Sequence, residues 1–240
     1  VIPAGKAPYP LETDPGGDFM IAPDSQSLVL LQGEGTAILD LSAASALEPQ
    51  QPLDFLPNYG QVLDIAANGS AAAMVNFNQN DPEKRFTESL FLVSRQGDEE
   101  ELLRVSGSIR DAQFDPRRRF LYVLASEQVD HPRRNRLDTQ EYQEQPMLLV
   151  VDLEAKAMTK LATLPQETDQ YMSLAPDGRS LLLDVTRFED AAEEASAHPG
   201  ADLGPGLWYL PLFASAHQPA PVLDRPELFP FAGIQATWLP

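Results

Sequence analysis

An all-β fold built from repeated four-stranded sheets, a β-propeller, is the architecture this sequence predicts. Three observations lead there: apolar runs of strand length, turn residues that interrupt them often, and a recurring unit of about 40 residues. The runs are SLVLLQ, TAILDL, SLFLVS, FLYVLA, MLLVVDL, SLLLDV and LWYLPL. Each is about six residues, the usual length of a strand and too short for a typical helix. Between them lie LETDPGGD, AANGS, APDG and HPGADLGPG, drawn from 22 prolines and 14 glycines spread along the chain. Leu and Ala outnumber Val and Ile, which would suit helices. The turns recur too closely to leave room for helices of ordinary length.

Composition narrows the class of function. The 240 residues include no cysteine, which excludes a disulfide scaffold, a thiolate metal site and a cysteine nucleophile. With 17 basic and 36 acidic side chains the net charge is −19, a field that repels phosphate backbones and anionic lipid. Nucleic acid is therefore not an expected partner. No apolar run approaches the ~18 residues of a transmembrane helix. A chain with 43% hydrophobic and 22% charged residues has enough apolar surface for a sizeable core, as one large domain or two small ones.

The repeat consists of an apolar strand, a tight turn and a stronger apolar strand. It reads FMIAPDSQSLVLLQ from Phe19, LDIAANGSAAAMVN from Leu63, DAQFDPRRRFLYVLA from Asp111 and YMSLAPDGRSLLLDV from Tyr171. A fifth start, IQATWLP from Ile234, stops where its turn would begin. Aligned on the turns, Pro23, Ala67, Pro116, Pro176 and Pro240 fall in register, 44, 49, 60 and 64 residues apart. Much of the inequality sits in one place, the loop between the second and third strands: Gly33–Gly35, then 77–88, 126–146 and 187–206. Without those loops the units are 41, 37, 39 and 44 residues, the period of a four-stranded propeller blade. The second unit then predicts strands at Val62–Ala66, Ala71–Asn76, Ser89–Ser94 and Glu101–Val105. Neighbouring blades would cover the apolar faces that one small sheet cannot bury alone.

The triplets Pro176-Asp177-Gly178, Pro23-Asp24-Ser25 and Asp115-Pro116-Arg117, followed by the third strands SLFLVS, MLLVVDL and LWYLPL, resemble the TolB-type propeller repeat. The hairpins RQGDEEELLRV and LEAKAMTKLATL fit its outer strands, so the resemblance spans about Phe19 to Pro240. Ala67-Asn68-Gly69 lacks the proline and Asp115-Pro116-Arg117 lacks the glycine. Such repeats occur in periplasmic scaffolding proteins, in the propellers that gate some serine peptidases, and in exported proteins of other kinds. The resemblance implies an exported, periplasmic or otherwise extracytoplasmic bacterial protein. Absence of cysteine is compatible with that compartment.

Residues 19–240 are thus expected to form the propeller, with about four complete blades plus one extra strand from Phe231–Leu239. Residues 1–18 form a separate N-terminal segment, with Val1–Ile2 or Ala7–Leu11 as a candidate outer strand of a preceding blade. Four blades and a strand do not close an ordinary ring, so the chain reads as a fragment of a larger propeller or as a small one with an irregular closing blade. The start at Val1 without a methionine fits a processed or truncated chain.

Strands of a blade run alternately up and down, so second-to-third loops emerge on the same face as the connections between blades. The three long insertions therefore gather on one face, where binding residues usually sit on a rigid scaffold. The loop 126–146 holds His131-Pro132-Arg133-Arg134-Asn135-Arg136, the densest basic cluster in the chain, and 187–206 holds Glu189, Asp190, Glu193 and Glu194 in a stretch able to form a short helix. Two readings stay open. The loops pair with one another as a cap, or Arg133, Arg134 and Arg136 contact anionic groups of a partner. Arg117, Arg118 and Arg119 fall in a first-to-second turn on the opposite face, where solvated charge is expected.

Catalytic signatures are absent: no G-x-S-x-G, no G-x-x-x-x-G-K-[ST], no H-E-x-x-H and no calcium loop. His131, His198 and His217 lack ligand spacing, so no metal and no cofactor are expected. The run Asp98-Glu99-Glu100-Glu101 reads as a solvated hairpin tip, and Phe91, Tyr122, Trp208, Tyr209 and Trp238 as packing between blades. The reading is a non-catalytic scaffold that binds another protein through the face bearing 77–88, 126–146 and 187–206. The alternatives are the propeller portion of a larger enzyme such as a serine peptidase, and a propeller that binds a sugar or another small molecule.

Overall fold

The computed structural model describes residues 18–21, 27–32, 35–40, 54–56, 59–66, 69–77, 86–130, 142–187, 202–213, 221–230 and 235–238. Seventeen strands and no helix are found among them. Four consecutive antiparallel sheets follow the chain, each ordered from its first strand outward. The first comprises β1 (Asp18–Ile21), β2 (Ser27–Gln32), β3 (Gly35–Asp40) and β4 (Asp54–Leu56). The second comprises β5 (Gln61–Ile65), β6 (Ala71–Phe77), β7 (Glu88–Ser94) and β8 (Glu99–Val105). The third comprises β9 (Ile109–Phe114), β10 (Phe120–Asp130), β11 (Tyr142–Asp152) and β12 (Ala157–Thr163). In the fourth, β13 (Thr168–Leu174), β14 (Ser180–Arg187) and β15 (Gly206–Phe213) carry an outer strand in two pieces, β16 (Val222–Leu223) and β17 (Glu227–Leu228).

Side-chain alternation explains why these sheets stack as blades. On β10, Leu121, Val123 and Ala125 point to one side, where they join Ala73, Val75 and Leu90 of the second sheet. Phe120, Tyr122 and Leu124 point to the other side, where they join Leu181, Leu183 and Leu210 of the fourth. A third cluster of Ile65, Ala72, Met74 and Val93 lies on the face of the second sheet turned away from the third. Strands buried on both faces lose the polar–apolar alternation of a surface sheet, which is why AAAMV of β6, FLYVLA of β10 and LLL of β14 read as apolar runs. The described residues form a β-propeller of four four-stranded blades, and no sheet among them closes on itself.

The blade turns share one geometry. In the fourth blade Ala175 N–H donates to Ser180 O at 2.9 Å and Gly178 N–H to Ala175 O at 2.8 Å. The second repeats this with Ala66, Ala71 and Gly69, the third with Asp115, Phe120 and Arg118. The residue at the third turn position is left-handed in each: Gly69 at φ 62°, Arg118 at 57°, Gly178 at 69°. The missing glycine of DPRR is therefore replaced by Arg118, an unfavourable conformation for a residue with a Cβ. Asp115 supports it, accepting backbone N–H bonds from Arg117, Arg119 and Phe120 at 3.2, 2.6 and 2.6 Å.

Two expectations need correction. Loop 126–146 is in large part strand, because β10 and β11 stay paired from Ser126↔Pro146 to Asp130↔Tyr142, and only 131–141 lies outside the described residues. The extension survives because the segment before β9 supports it: Ser126 N–H donates to Ser108 O at 2.7 Å and Gln128 N–H to Ser106 O at 2.6 Å. Gly107 permits this approach, since a Cβ there would fall 2.1 Å from the Ser126 carbonyl oxygen. The arginines of the third turn are also not simply solvated. Arg118 donates to the Ser70 hydroxyl in the turn of the second blade, and Arg119 pairs with buried Asp152 at 3.4 Å. The N-terminal strand candidates Val1–Ile2 and Ala7–Leu11 lie outside the described residues.

Candidate functional site at the loop-bearing face

Each innermost strand exposes an edge with unpaired backbone groups, and the next repeat is joined to the last through it. Three residues before the turn position stand Asp64, Gln113 and Ser173 in the second, third and fourth blades. Asp64 accepts Phe114 N–H at 2.7 Å. Gln113 accepts Leu174 N–H at 2.8 Å through its amide oxygen and donates to Met172 O at 2.9 Å through its amide nitrogen. Ser173 accepts Trp238 N–H at 3.4 Å, and the Trp238 indole N–H donates to Ser173 O at 2.9 Å. The donor position in the next repeat, Phe114, Leu174 or Trp238, is in register every time, two residues before the turn position. Residues 235–238 thus occupy the place of a fifth innermost strand, as the sequence predicts for Phe231–Leu239, but they add no ladder. Residues 231–234 and 239 lie outside the described residues.

Charged groups collect at the end of the blades where the insertions arise. Glu88 ends the 77–88 insertion and is buried at 6% exposure, with its carboxylate 2.5 Å from Ile109 N–H. Burial raises its pKa, and the Ile109 bond opposes that shift. Ser126 on β10 donates to Glu144 on β11 at 2.8 Å and lies 2.8 Å from the Ser108 hydroxyl. Arg110 is unopposed at a β-bulge, because Leu124 pairs with Asp111 and Ala125 with Ile109. A bulge re-aims the extra side chain. Its guanidinium reaches Glu144 at 3.4 Å within the blade and Asp169 of the fourth blade at 3.6 Å. Asp111 and Asp64 follow on the innermost strands. Burial pushes Asp111 up to about 6 and Asp64 up to about 7, in the second case against N–H bonds from Phe114 and Ile65.

A cleft opens on this face. It is about 290 Å³ and is lined by Asp169, Gln170 and Tyr171 of β13, Asp184 and Thr186 of β14, and Gln235. Asp184 accepts Gln235 N–H at 2.7 Å and the Thr186 hydroxyl at 2.9 Å. Among the described residues no three His, Cys, Asp or Glu side chains converge as a metal site, and no helix is long and apolar enough to cross a membrane.

The site residues expected from sequence, Arg133, Arg134, Arg136, Glu189, Asp190, Glu193 and Glu194, all lie outside the described residues, as do His131, His198 and His217. Within the 187–206 insertion, Asp202 donates its N–H to O of Thr163, the last residue of β12, at 2.8 Å and accepts Thr163 N–H at 2.7 Å. Glu88, Glu144, Asp169 and Asp184 escaped the sequence reading because isolated acids are common in a chain with 36 of them, and Arg110 because no local pattern marks the bulge that re-aims it. Asp184 had one usable signal. It stands in SLLLDV where the aligned strands of the second and third blades have Val75 and Leu124.

No protein-family model matches the chain, and no characterised protein sequence does. Solved structures with a similar course include an oligogalacturonate lyase in complex with manganese (13% identity, TM-score 0.47, covering 90% of this chain and 55% of that one). Kuenenia stuttgartiensis hydrazine synthase is similar at 14% identity and a TM-score of 0.45, over 80% of this chain and 51% of that one. The β-propeller domain of the Trilobed protease from Pyrococcus furiosus is similar at 10% identity and a TM-score of 0.39, over 86% and 53%. The chain spans about half the length of these structures.

Proposed function

We propose that this protein is a non-catalytic, exported propeller scaffold of the TolB type that binds another protein through its loop-bearing face. The observation that supports this reading is the β10–β11 ribbon. Its strands run 11 residues each, and the flanking ladders to β9 and β12 end at Ala125 and Met147. In sequence, Arg133-Arg134-Asn135-Arg136 belongs to the segment that joins the two strands of this ribbon. A rigid stalk lowers the entropy cost of presenting a recognition segment. Guanidinium groups on it suit carboxylate-bearing partners.

The test is affinity capture from the native host with three baits: the unaltered protein, a triple Arg→Glu variant at Arg133, Arg134 and Arg136, and a double variant at Arg117 and Arg179. The last two arginines are exposed in first-to-second turns on the opposite face. The partner is retained by the unaltered and the double-variant baits and lost from the triple variant, whose stability stays within about 1 kcal/mol of the parent. Equal capture by all three baits refutes the assignment of the basic ribbon.

A further inference from the structure

We infer that the cleft between β13, β14 and Gln235 is a recognition site for an organic cation, an ammonium or guanidinium group on a slender chain. This inference stands apart from the partner reading, since it concerns a different set of residues.

The argument begins with register. Blades two and three present Val75 and Leu124 on the face turned toward the following repeat, at the point aligned with Asp184. Those residues are 4% and 1% exposed and belong to the cores between blades. The fourth blade puts a carboxylate there and buries it to 5% exposure. A carboxylate taken out of water without a cation is strongly disfavoured unless hydrogen bonds compensate. Here it receives the Thr186 hydroxyl and Gln235 N–H, which fix its orientation and leave acceptor capacity on both oxygens. Among the described residues no Lys or Arg pairs with it.

The rest of the cleft fits the same ligand. Asp169 and Tyr171 stand two apart on β13, so their side chains share one side of the strand, the side that faces Asp184 across Tyr171↔Asp184. Asp169 is 71% exposed at the rim. Tyr171 is 38% exposed and adds an aromatic surface of the kind that attracts cations. Gln170 and Gln235 also line the cleft, and the Gln170 amide nitrogen is committed to Thr168 Oγ1 at 2.7 Å. The cleft's 290 Å³ lies at the bottom of the roughly 300–1,000 Å³ range of small-molecule sites, which suits one side-chain-sized group. Arg110 already shows that a guanidinium is accepted at the rim, 3.6 Å from Asp169. Only two carboxylates take part, one buried and one at the rim, which favours an extended organic cation over a compact hard ion.

Two sources share this chemistry: a free amine, and a Lys or Arg side chain of a peptide. Isothermal titration and ¹⁵N chemical-shift mapping of the whole protein use butylammonium, ethylguanidinium, calcium, an Arg-containing pentapeptide and its Ala counterpart as probes. The organic cations shift the amides of Asp169, Tyr171, Thr186 and Gln235 in saturable fashion, and calcium does not. Asp169→Asn weakens binding about three-fold and Asp184→Asn about ten-fold, with buried charge worth more than exposed. Both variants keep the parent's melting temperature within a few degrees. Asp184→Asn retains an oxygen for Gln235 N–H, so loss of binding with an intact fold is readable. Tighter binding of the Arg peptide than of ethylguanidinium assigns a peptide source, and the reverse assigns a free amine. Calcium shifting the same amides, no saturable shift by any organic cation, or undiminished affinity in Asp169→Asn together with Asp184→Asn overturns the inference.

Discussion

Replacing Gln113 by leucine tests the junction between blades most directly. The Gln113 amide spans the gap between two innermost strands with two bonds, 2.9 Å to Met172 O and 2.8 Å from Leu174 N–H. Neither backbone group belongs to the β13–β14 ladder of its own blade in a way that replaces them, since they face the other edge. Each lost bond removes about 1 kcal/mol, and a stranded half-buried N–H or C=O adds about 1 kcal/mol more. Leucine restores part of the packing, so the net loss is about 2–3 kcal/mol. For a domain of this size that is a fall in melting temperature of about 5–10 °C. Urea unfolding followed by tryptophan fluorescence gives the free energy, with Gln96→Ala in an exposed turn as the control. Native-state hydrogen exchange supplies the local readout: the Leu174 amide exchanges much faster in the variant, while Val150 in the blade interior is unchanged. A variant within 0.5 kcal/mol of the parent, or an unaltered Leu174 exchange rate, refutes the view that this position joins the repeats.

Stability should also depend on pH through Asp64. Its folded-state pKa is raised from 3.8 to about 7, so between those values the folded chain holds a proton that the unfolded chain has released. Stability is then greatest below about pH 4, falls as pH rises toward 7 and levels off above it. Asp111, pushed up to about 6, acts in the same direction. Asp64 is half-buried, which limits its share to about 2 kcal/mol; Asp64→Asn flattens the profile, and an equal pH slope in parent and variant contradicts the assignment. Gly178→Ala should cost about 2 kcal/mol by thermal unfolding, because the residue sits at φ 69° and a Cβ would approach Pro116 Cδ to 2.8 Å. A loss confined to a few tenths of a kcal/mol would show that the contact between successive turns relaxes freely.

Strands and repeat period were legible because they depend on local pattern. Val62–Ala66, Ala71–Asn76, Ser89–Ser94 and Glu101–Val105 each meet an observed strand within a residue or two, since alternating turns and apolar runs fix both ends. The ribbon of 126–130 and 142–146 was not legible. Its residues, SEQVD and YQEQP, are polar and would pass for loop; they are strand because Ser106 and Ser108 lie beside them, a contact between positions about twenty apart. The role of Arg118 was hidden for a related reason. A glycine position filled by another residue leaves no local mark, and only the aligned geometry of Gly69 and Gly178 reveals it. At the loop-bearing face, sequence pointed to the insertions and missed the groups at their bases. Those groups acquire meaning only when Glu88 meets Ile109, or Arg110 meets Asp169, across blades.

The acidity of the chain has a structural use at these junctions. An innermost strand offers the neighbouring repeat N–H donors that no ladder satisfies, and a carboxylate is an acceptor without a competing donor. Asp64 takes Phe114 N–H, Glu88 takes Ile109 N–H and Asp184 takes Gln235 N–H, so three carboxylates hold three backbone donors of the following repeat. The third-to-fourth junction uses neutral Gln113 instead. Buried carboxylates weaken a fold as they ionise, whereas an amide does not titrate. The two kinds of junction therefore respond to pH by different routes: at the second-to-third junction Asp64 and Glu88 accept the backbone donors directly, whereas at the third-to-fourth Asp111, pushed up to about 6, acts through the Gln113 amide that donates to it at 3.1 Å. The cation-recognising cleft lies on the fourth blade, whose following face carries Asp184 where the second and third blades carry Val75 and Leu124.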